Sequence, residues 1–68
     1  MSTIENTTQK LTLEINMDND AYNGNAWKRE VIRNLKQVIT QIDEQDRTWG
    51  MIRDINGNTV GEWDIGHE

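Results

Sequence analysis

The apolar residues of this 68-residue chain change their spacing twice, and these changes restrict the fold more than any other feature. Between residues 10 and 18, apolar and polar residues alternate, which predicts a half-buried strand. The predicted inward residues of this strand are Leu11, Leu13, Ile15 and Met17. From Ala26 to about Gln45 the spacing becomes three to four residues, which predicts one amphipathic helix.

The predicted helix follows a polar loop, residues 18–25, and has a single apolar stripe. Asn25 is expected to be the N-cap, with its side-chain oxygen accepting an amide of the first turn. The chain contains no proline, so nothing in it requires a kink. The stripe expected to face the core consists of Trp27, Val31, Leu35, Val38 and Ile42, widened by Ile32 and Ile39.

Strand character returns after Arg47, and the dipeptide Asn56-Gly57 predicts a hairpin with a type I′ turn. The third strand is expected over residues 59–65, with Trp63 and Ile65 facing inward. Two registers remain open for the second strand. A two-residue turn places Ile52 beside Trp63 in the core, whereas a three-residue loop with a bulge places Trp49 and Met51 there.

The predicted fold class is therefore α+β, a single β-α-β-β domain over residues 10–66 preceded by a flexible segment, residues 1–9. With strand three between strands one and two, every neighbouring pair in the sheet is antiparallel. The sheet is thus expected to have the order 1-3-2, with the long helix packed on one face. The other face has no second helix to cover it and is expected to face solvent or a partner.

The composition narrows the range of functions. There is no Cys and one His, so we expect no cofactor and no metal site, and no set of residues resembles a nucleophile with its base. An enzyme is therefore not expected. The segment from Asp54 to Asn58 resembles the start of a calcium loop, but Thr59 and Ile65 stand where such a loop needs Gly and Glu. The chain has no apolar run long enough for a membrane span and no signal peptide, so we expect a cytoplasmic protein with no membrane partner.

The balance of 7 basic and 12 acidic residues gives a net charge of −5, which argues against direct nucleic-acid binding. The acids on the outward sides of the strands are expected to gather on the open sheet face and to bind a basic partner. These candidate partner-binding residues are Glu14, Asp18, Asp20, Asp54, Glu62 and Asp64. An alternative binding surface is a basic stripe on the helix, made of Lys28, Arg29, Arg33 and Lys36.

Three segments together resemble small acidic proteins of phages and mobile elements, some of them similar to the type I-C anti-CRISPR inhibitors. These segments are residues 18–22 (DNDAY), residues 30–35 (EVIRNL) and residues 50–61 (GMIRDINGNTVG). The resemblance implies a compact α/β fold with an anionic surface that imitates DNA. It implies no functional residue position by position.

The expected function is that of a small phage-derived inhibitor of a bacterial defence system, located in the cytoplasm of the bacterial host. As a DNA mimic, it would bind the basic nucleic-acid-handling surface of a protein partner such as a CRISPR effector complex, as a monomer or weak homodimer. The alternative is a non-enzymatic structural or regulatory module that self-associates through its open sheet face or a strand edge, with its charge serving solubility.

Overall fold

A computed structural model describes residues 9–67 and confirms the predicted β-α-β-β order. Strand β1 spans Gln9–Ile15, helix α1 spans Ala26–Asp43, strand β2 spans Trp49–Arg53 and strand β3 spans Thr59–His67. A 3-10 turn, Asp20–Tyr22, precedes α1. The predicted flexible segment, residues 1–9, lies outside the described residues except for Gln9, which opens β1.

The three strands form one sheet in the predicted order β1-β3-β2, with both neighbouring pairs antiparallel. Trp63 lies opposite Leu13 of β1 and Gly50 of β2, so its indole lies at the centre of the sheet. It is 1% exposed, as the inward assignment of Trp63 requires. The buried apolar core consists of Tyr22, Val38, Ile52, Val60 and Trp63. Because β1 ends at Ile15, Met17 lies beyond the strand and is exposed, and Leu11 is exposed as well.

The hairpin forms where it was predicted, but its turn is not type I′. That turn needs positive φ at both central residues, whereas of this pair only Gly57 has one, at +88°. The Gly57 amide donates to the Asp54 carbonyl at 3.0 Å, and the Asp54 amide donates to the Asn58 carbonyl at 2.8 Å. The connection is therefore a three-residue loop, residues 55–57, with glycine in the left-handed position.

A bulge at Val60 decides the register of β2. Arg53 lies opposite Thr59 but Ile52 lies opposite Gly61, so Val60 is an extra residue on β3. The three-residue loop alone would turn Trp49 and Met51 inward, and the extra residue shifts the pairing by one and reverses the faces. Ile52 is therefore fully buried, while Trp49 and Met51 are exposed. Each of the two predicted registers was therefore right in one respect. The register with a three-residue loop had the correct loop length, and the register with a two-residue turn had the correct core residue, Ile52.

The buried face of α1 is largely polar, which corrects the predicted apolar stripe. Its buried residues are Glu30, Asn34 and Val38, whereas Leu35 and Ile42 are exposed. The helix lies along β2, whose outer edge has no neighbouring strand among the described residues. A strand edge offers unpaired amides and carbonyls, and these groups attract polar side chains more strongly than apolar ones.

Two glutamines of α1 satisfy that edge. The Gln37 side chain accepts from the Arg53 amide at 3.1 Å and donates to the Arg53 carbonyl. Gln41 donates to the Met51 carbonyl at 3.0 Å, and its oxygen accepts from the Trp63 indole at 2.7 Å. Helix α1 thus completes the sheet through side chains in place of a fourth strand.

Asn25 occupies the N-cap position, but its side chain makes no capping hydrogen bond, contrary to the prediction. Its φ of −86° and ψ of −1° are helical, whereas a capping side chain needs an extended backbone to reach the amides of the first turn. The preceding turn supplies a partner instead, because the Ala26 amide donates to the Asn23 carbonyl at 3.0 Å.

Candidate functional site: the acidic open face of the sheet

Helix α1 leaves one side of the sheet bare, and six exposed residues of the three strands cover that side in two rows. We call these six residues the open face. One row is Thr12, Asp64 and Trp49, and the other is Glu14, Glu62 and Met51. Side chains two apart on a strand share a face, so the rows are neighbours, about 6.8 Å apart along the strands.

Glu14 and Glu62 lie directly opposite each other on β1 and β3. Side chains in such pairs have Cβ atoms about 4.5–5.5 Å apart, and two like charges at that distance repel. Asp64 adds a third carboxylate in the next row. Negative charge is thus concentrated at the middle strand of the open face, at a cost to stability that the fold itself does not require.

Apolar side chains lie beside these carboxylates. Trp49 is 59% exposed opposite Asp64, and Met51 is 44% exposed opposite Glu62. Met51 and Glu62 also line a shallow, open groove with Glu14 and Val60. A broad aromatic ring next to charged groups is typical of protein-binding surfaces, because it offers a large apolar contact at small cost in side-chain entropy.

Two cations lie at the ends of the same side of the sheet. Lys10 precedes Thr12 by two residues on β1, and Arg53 follows Met51 by two on β2. The Arg53 guanidinium donates to the Gly57 carbonyl at 3.2 Å, which holds it at the hairpin. The negative region is therefore a central patch with basic borders.

The remaining predicted acids lie elsewhere. Asp54 is only 3% exposed, so its expected place on the acidic surface is wrong. Its carboxylate accepts two backbone amides and two side-chain amides of the hairpin and the loop before α1. Asp18 is exposed beyond the end of β1, and Asp20 begins the 3-10 turn that packs against α1. Neither of these two lies on a strand of the open face.

The four cations predicted to form a basic surface on the helix have different surroundings. Lys28, Arg29 and Lys36 are exposed. Arg33 instead forms an ion pair with Glu30, with the Arg33 Nε and the Glu30 Oε1 3.4 Å apart, and donates to the Arg53 carbonyl. Arg33 is thus paired within the fold although 41% of its side chain stays exposed, and the other three predicted residues form the exposed part of the basic surface.

A buried polar cluster that was not predicted from the sequence lies between the 3-10 turn and α1. The Tyr22 hydroxyl donates to the Asn34 side-chain oxygen at 2.6 Å, and the Asn34 amide donates to Glu30 at 2.9 Å. Burial raises the pKa of Tyr22, the negative charges of Glu30 and Asp54 raise it further, and Arg33 opposes them. One signal was available: Glu30, Asn34 and Gln37 follow helical spacing just as the apolar residues do.

This buried cluster lies inside the fold, where it joins α1 to the 3-10 turn, and Asn34 also donates to the Arg53 carbonyl of β2 at 3.4 Å. Across residues 9–67, no three His, Cys, Asp or Glu side chains come together as metal ligands would. None of the helices in the same range is long and apolar enough to cross a lipid bilayer. The open face is the candidate site because it combines carboxylates with exposed apolar side chains on one side of the sheet.

Comparison with models of protein families, with curated proteins and with solved structures finds no match to this chain.

Proposed function

We propose that this protein is a small inhibitor that binds, through its open face, the basic surface on which a bacterial defence complex holds nucleic acid. The observation that carries the proposal is the direct opposition of Glu14 and Glu62 on neighbouring strands. Repelling carboxylates placed together on an uncovered sheet face are unfavourable for the free protein, and they become favourable when a basic surface covers them.

The geometry fits imitation of a phosphate backbone. Glu14, Glu62 and Asp64 project from a rigid sheet, so they are held in place before binding and lose little conformational freedom on contact. Arg and Lys side chains that hold phosphates bind carboxylates by the same charge-assisted hydrogen bonds. Trp49 and Met51 add apolar contact that DNA phosphates do not offer, and this favours a protein partner over a simple cation.

The structure favours this reading over the alternative module that self-associates through its open face. Two copies stacked face to face would bring Glu14 and Glu62 against the carboxylates of a second copy. Association through a strand edge remains compatible with the fold, because β1 has a free edge among the described residues. A basic helix surface, now Lys28, Arg29 and Lys36, is the competing site for the inhibitor itself.

The direct test is competition for a purified type I-C CRISPR effector complex, followed by the fluorescence anisotropy of a labelled target DNA duplex. We expect the wild type to displace the duplex, and to do so less well as salt rises, because the contacts are between charges. The double variant Glu14→Gln/Glu62→Gln should lose most of this displacement, at least tenfold in the concentration required.

The matched control is Glu44→Gln/Asp46→Asn, which removes the same amount of charge from exposed residues beyond α1. It should compete as the wild type does, which would separate the geometry of the open face from net charge. Equal competition by the open-face variant, together with failure of Lys28→Ala/Lys36→Ala, would assign the activity to the helix instead. Absence of displacement by the wild type would exclude this complex as the target.

A further inference from the structure

Helix α1 carries five large apolar residues that the fold leaves exposed: Trp27 in its first turn and four that follow one another along its central and C-terminal turns. Ile32 is 48% exposed, Leu35 40%, Ile39 61% and Ile42 39%. These four lie on one side of the helix because the polar residues Glu30, Asn34, Gln37 and Gln41 occupy the side against β2. At about 100° per residue, the four residues lie about 80–160° around the helix from Asn34, so the apolar side is turned roughly a third of a full turn from the sheet.

The spacing of these four residues is three, four and three, which is the repeat by which two helices pack side by side. We call Ile32, Leu35, Ile39 and Ile42 the helix stripe. A helix of 18 residues is about 27 Å long, and the stripe occupies its central and C-terminal turns. An apolar side of that length on so small a domain is typical of an interface.

The charges beside the stripe indicate which partner it fits. Arg29, Lys36 and Asp43 follow each other at seven-residue intervals along the same flank. The basic half of α1 is thus its N-terminal half and the acidic end is its C-terminal end, both opposed to the helix's own dipole. Such an arrangement is unfavourable within one helix and is complementary between two helices that run in opposite directions.

We infer that α1 packs antiparallel against α1 of a second copy of this chain. Ile32 then meets Ile42 of the second copy and Leu35 meets its Ile39, so symmetry gives four apolar layers. Arg29 lies beside Asp43 of the second copy at both ends. Lys36 lies near its own counterpart at the two-fold axis, where its long side chain reaches water. A parallel pair would instead hold Arg29 and Asp43 at opposite ends of the contact, where they could not meet.

This inference does not rest on the proposed function, because the helix stripe and the open face belong to different surfaces. The two-fold axis makes the contact closed, with each copy giving and receiving the same residues. Packing on the stripe leaves Glu14, Glu62 and Trp49 of both copies uncovered.

The test is sedimentation equilibrium of the full chain between micromolar and millimolar concentration. We expect the wild type to reach twice the 7.9 kDa chain mass. Ile39→Glu should remain monomeric over the same range. It should keep the helical circular dichroism of a folded chain, because the Ile39 side chain is already exposed in the monomer. Ile32→Glu is a second variant for the same purpose. The control Ile55→Glu changes an equally exposed apolar residue of the hairpin and should dimerise as the wild type does.

A charge exchange tests the direction of packing. Arg29→Glu should weaken dimerisation at least fivefold, and Arg29→Glu/Asp43→Arg should restore it, since only an antiparallel pair brings these two positions together. A wild type that stays monomeric at millimolar concentration would overturn the inference, as would a dimer unaffected by Ile39→Glu. A double variant that remains weakened would overturn the antiparallel direction.

Discussion

At the scale of single residues, Asp54 joins three parts of the chain through one carboxylate. It accepts the amides of Asn56 and Asn58 at 2.9 and 2.8 Å and the side chains of Asn58 and Asn19 at 3.1 and 2.7 Å. Burial raises the pKa of Asp54, but these hydrogen bonds to the charged form outweigh burial, so its pKa lies below the usual 3.8. The group that resembled a calcium ligand in the sequence is thus occupied by the protein's own donors.

The lowered pKa of Asp54 predicts how the unfolding free energy depends on pH. A carboxyl whose pKa is lower in the folded state stabilises the fold above its unfolded pKa, and this stabilisation is lost as pH falls through the folded pKa. Asp54→Asn should lower stability at neutral pH and remove much of the further loss on acidification. Urea unfolding from about pH 7 down to about pH 2 measures both effects.

The comparison for that experiment is Asp18→Asn, which changes an exposed carboxyl on the loop that follows β1. Its stability and acid response should follow those of the wild type closely. A variant Asp54→Asn as stable as the wild type at neutral pH would show that the hairpin does not depend on this carboxylate.

At the scale of elements, the packing of α1 on β2 depends on a glycine. A Cβ atom on Gly50 would overlap the Gln41 side-chain oxygen and approach the Trp63 indole nitrogen to 2.7 Å. These are the two atoms that form the hydrogen bond between α1 and the centre of the sheet. The position therefore requires glycine because there is no room for a side chain, and not because of its backbone conformation, since φ of Gly50 is not positive.

Gly50→Ala should lower the free energy of unfolding by about 1–3 kcal/mol, because the Gln41 side chain must move and the Trp63 indole loses its acceptor. Urea unfolding followed by tryptophan fluorescence measures the loss. Gly66→Ala on β3 is the control, because its new Cβ would meet only ordinary contact, with the nearest atom at 3.8 Å. Equal stability of the two variants would contradict the role assigned to Gly50.

Among the elements, the order along the chain and in the sheet could be predicted from the sequence, whereas the buried side of α1 and the bulge in β3 could not. The β-α-β-β order could be predicted from the apolar periods of 2 and 3.6 residues and from the Asn-Gly dipeptide. The order of the strands in the sheet followed from the expectation that neighbouring strands are antiparallel. The side of α1 that faces the sheet was not predictable from hydrophobicity, because Gln37 and Gln41 are selected by the backbone groups of one edge strand. The bulge at Val60 was equally hidden, because its effect on register depends on the length of a loop several residues away.

Residues of the candidate site were predicted correctly only where the alternation of a strand alone determines the face on which a side chain lies. Glu14, Glu62 and Asp64 alternate with inward residues, so their place on the open face followed from period two. Asp54 was misplaced because the side chain turns back to cap its own hairpin, and such local hydrogen bonds compete with the strand pattern. Arg33 was predicted as part of the basic stripe on the helix, and its ion pair inside the fold follows from the burial of Glu30, which has no signature in composition.

At the scale of the whole molecule, acidic charge should act on stability and on binding in opposite directions. Glu62→Gln removes one side of the pair with Glu14, so it should stabilise the free protein at low salt by a few tenths of a kcal/mol, up to about 1. The gain should shrink as salt screens the repulsion that remains in the wild type. Urea unfolding at low and high sodium chloride measures this difference.

The same Glu62→Gln protein should bind its partner more weakly, although it is the more stable protein. Asp18→Asn, which removes an exposed charge outside the open face and away from the ends of α1, is the control and should change neither quantity by a comparable amount. A Glu62→Gln variant that is destabilised at low salt would show that the pair is not repulsive in the folded state.

Because Gln37 and Gln41 cover the edge of β2, they also determine how many strand edges of the sheet can pair with another copy. Joining copies edge to edge into an endless ribbon requires two open edges per molecule, and within the described residues only β1 offers one. Growth through that edge would end after a single step, with β1 meeting β1 across a two-fold axis. The helix side chains that cover β2 therefore also limit edge-to-edge growth of the sheet to two copies, and a concentrated solution of this protein should form no ribbon of edge-paired sheets.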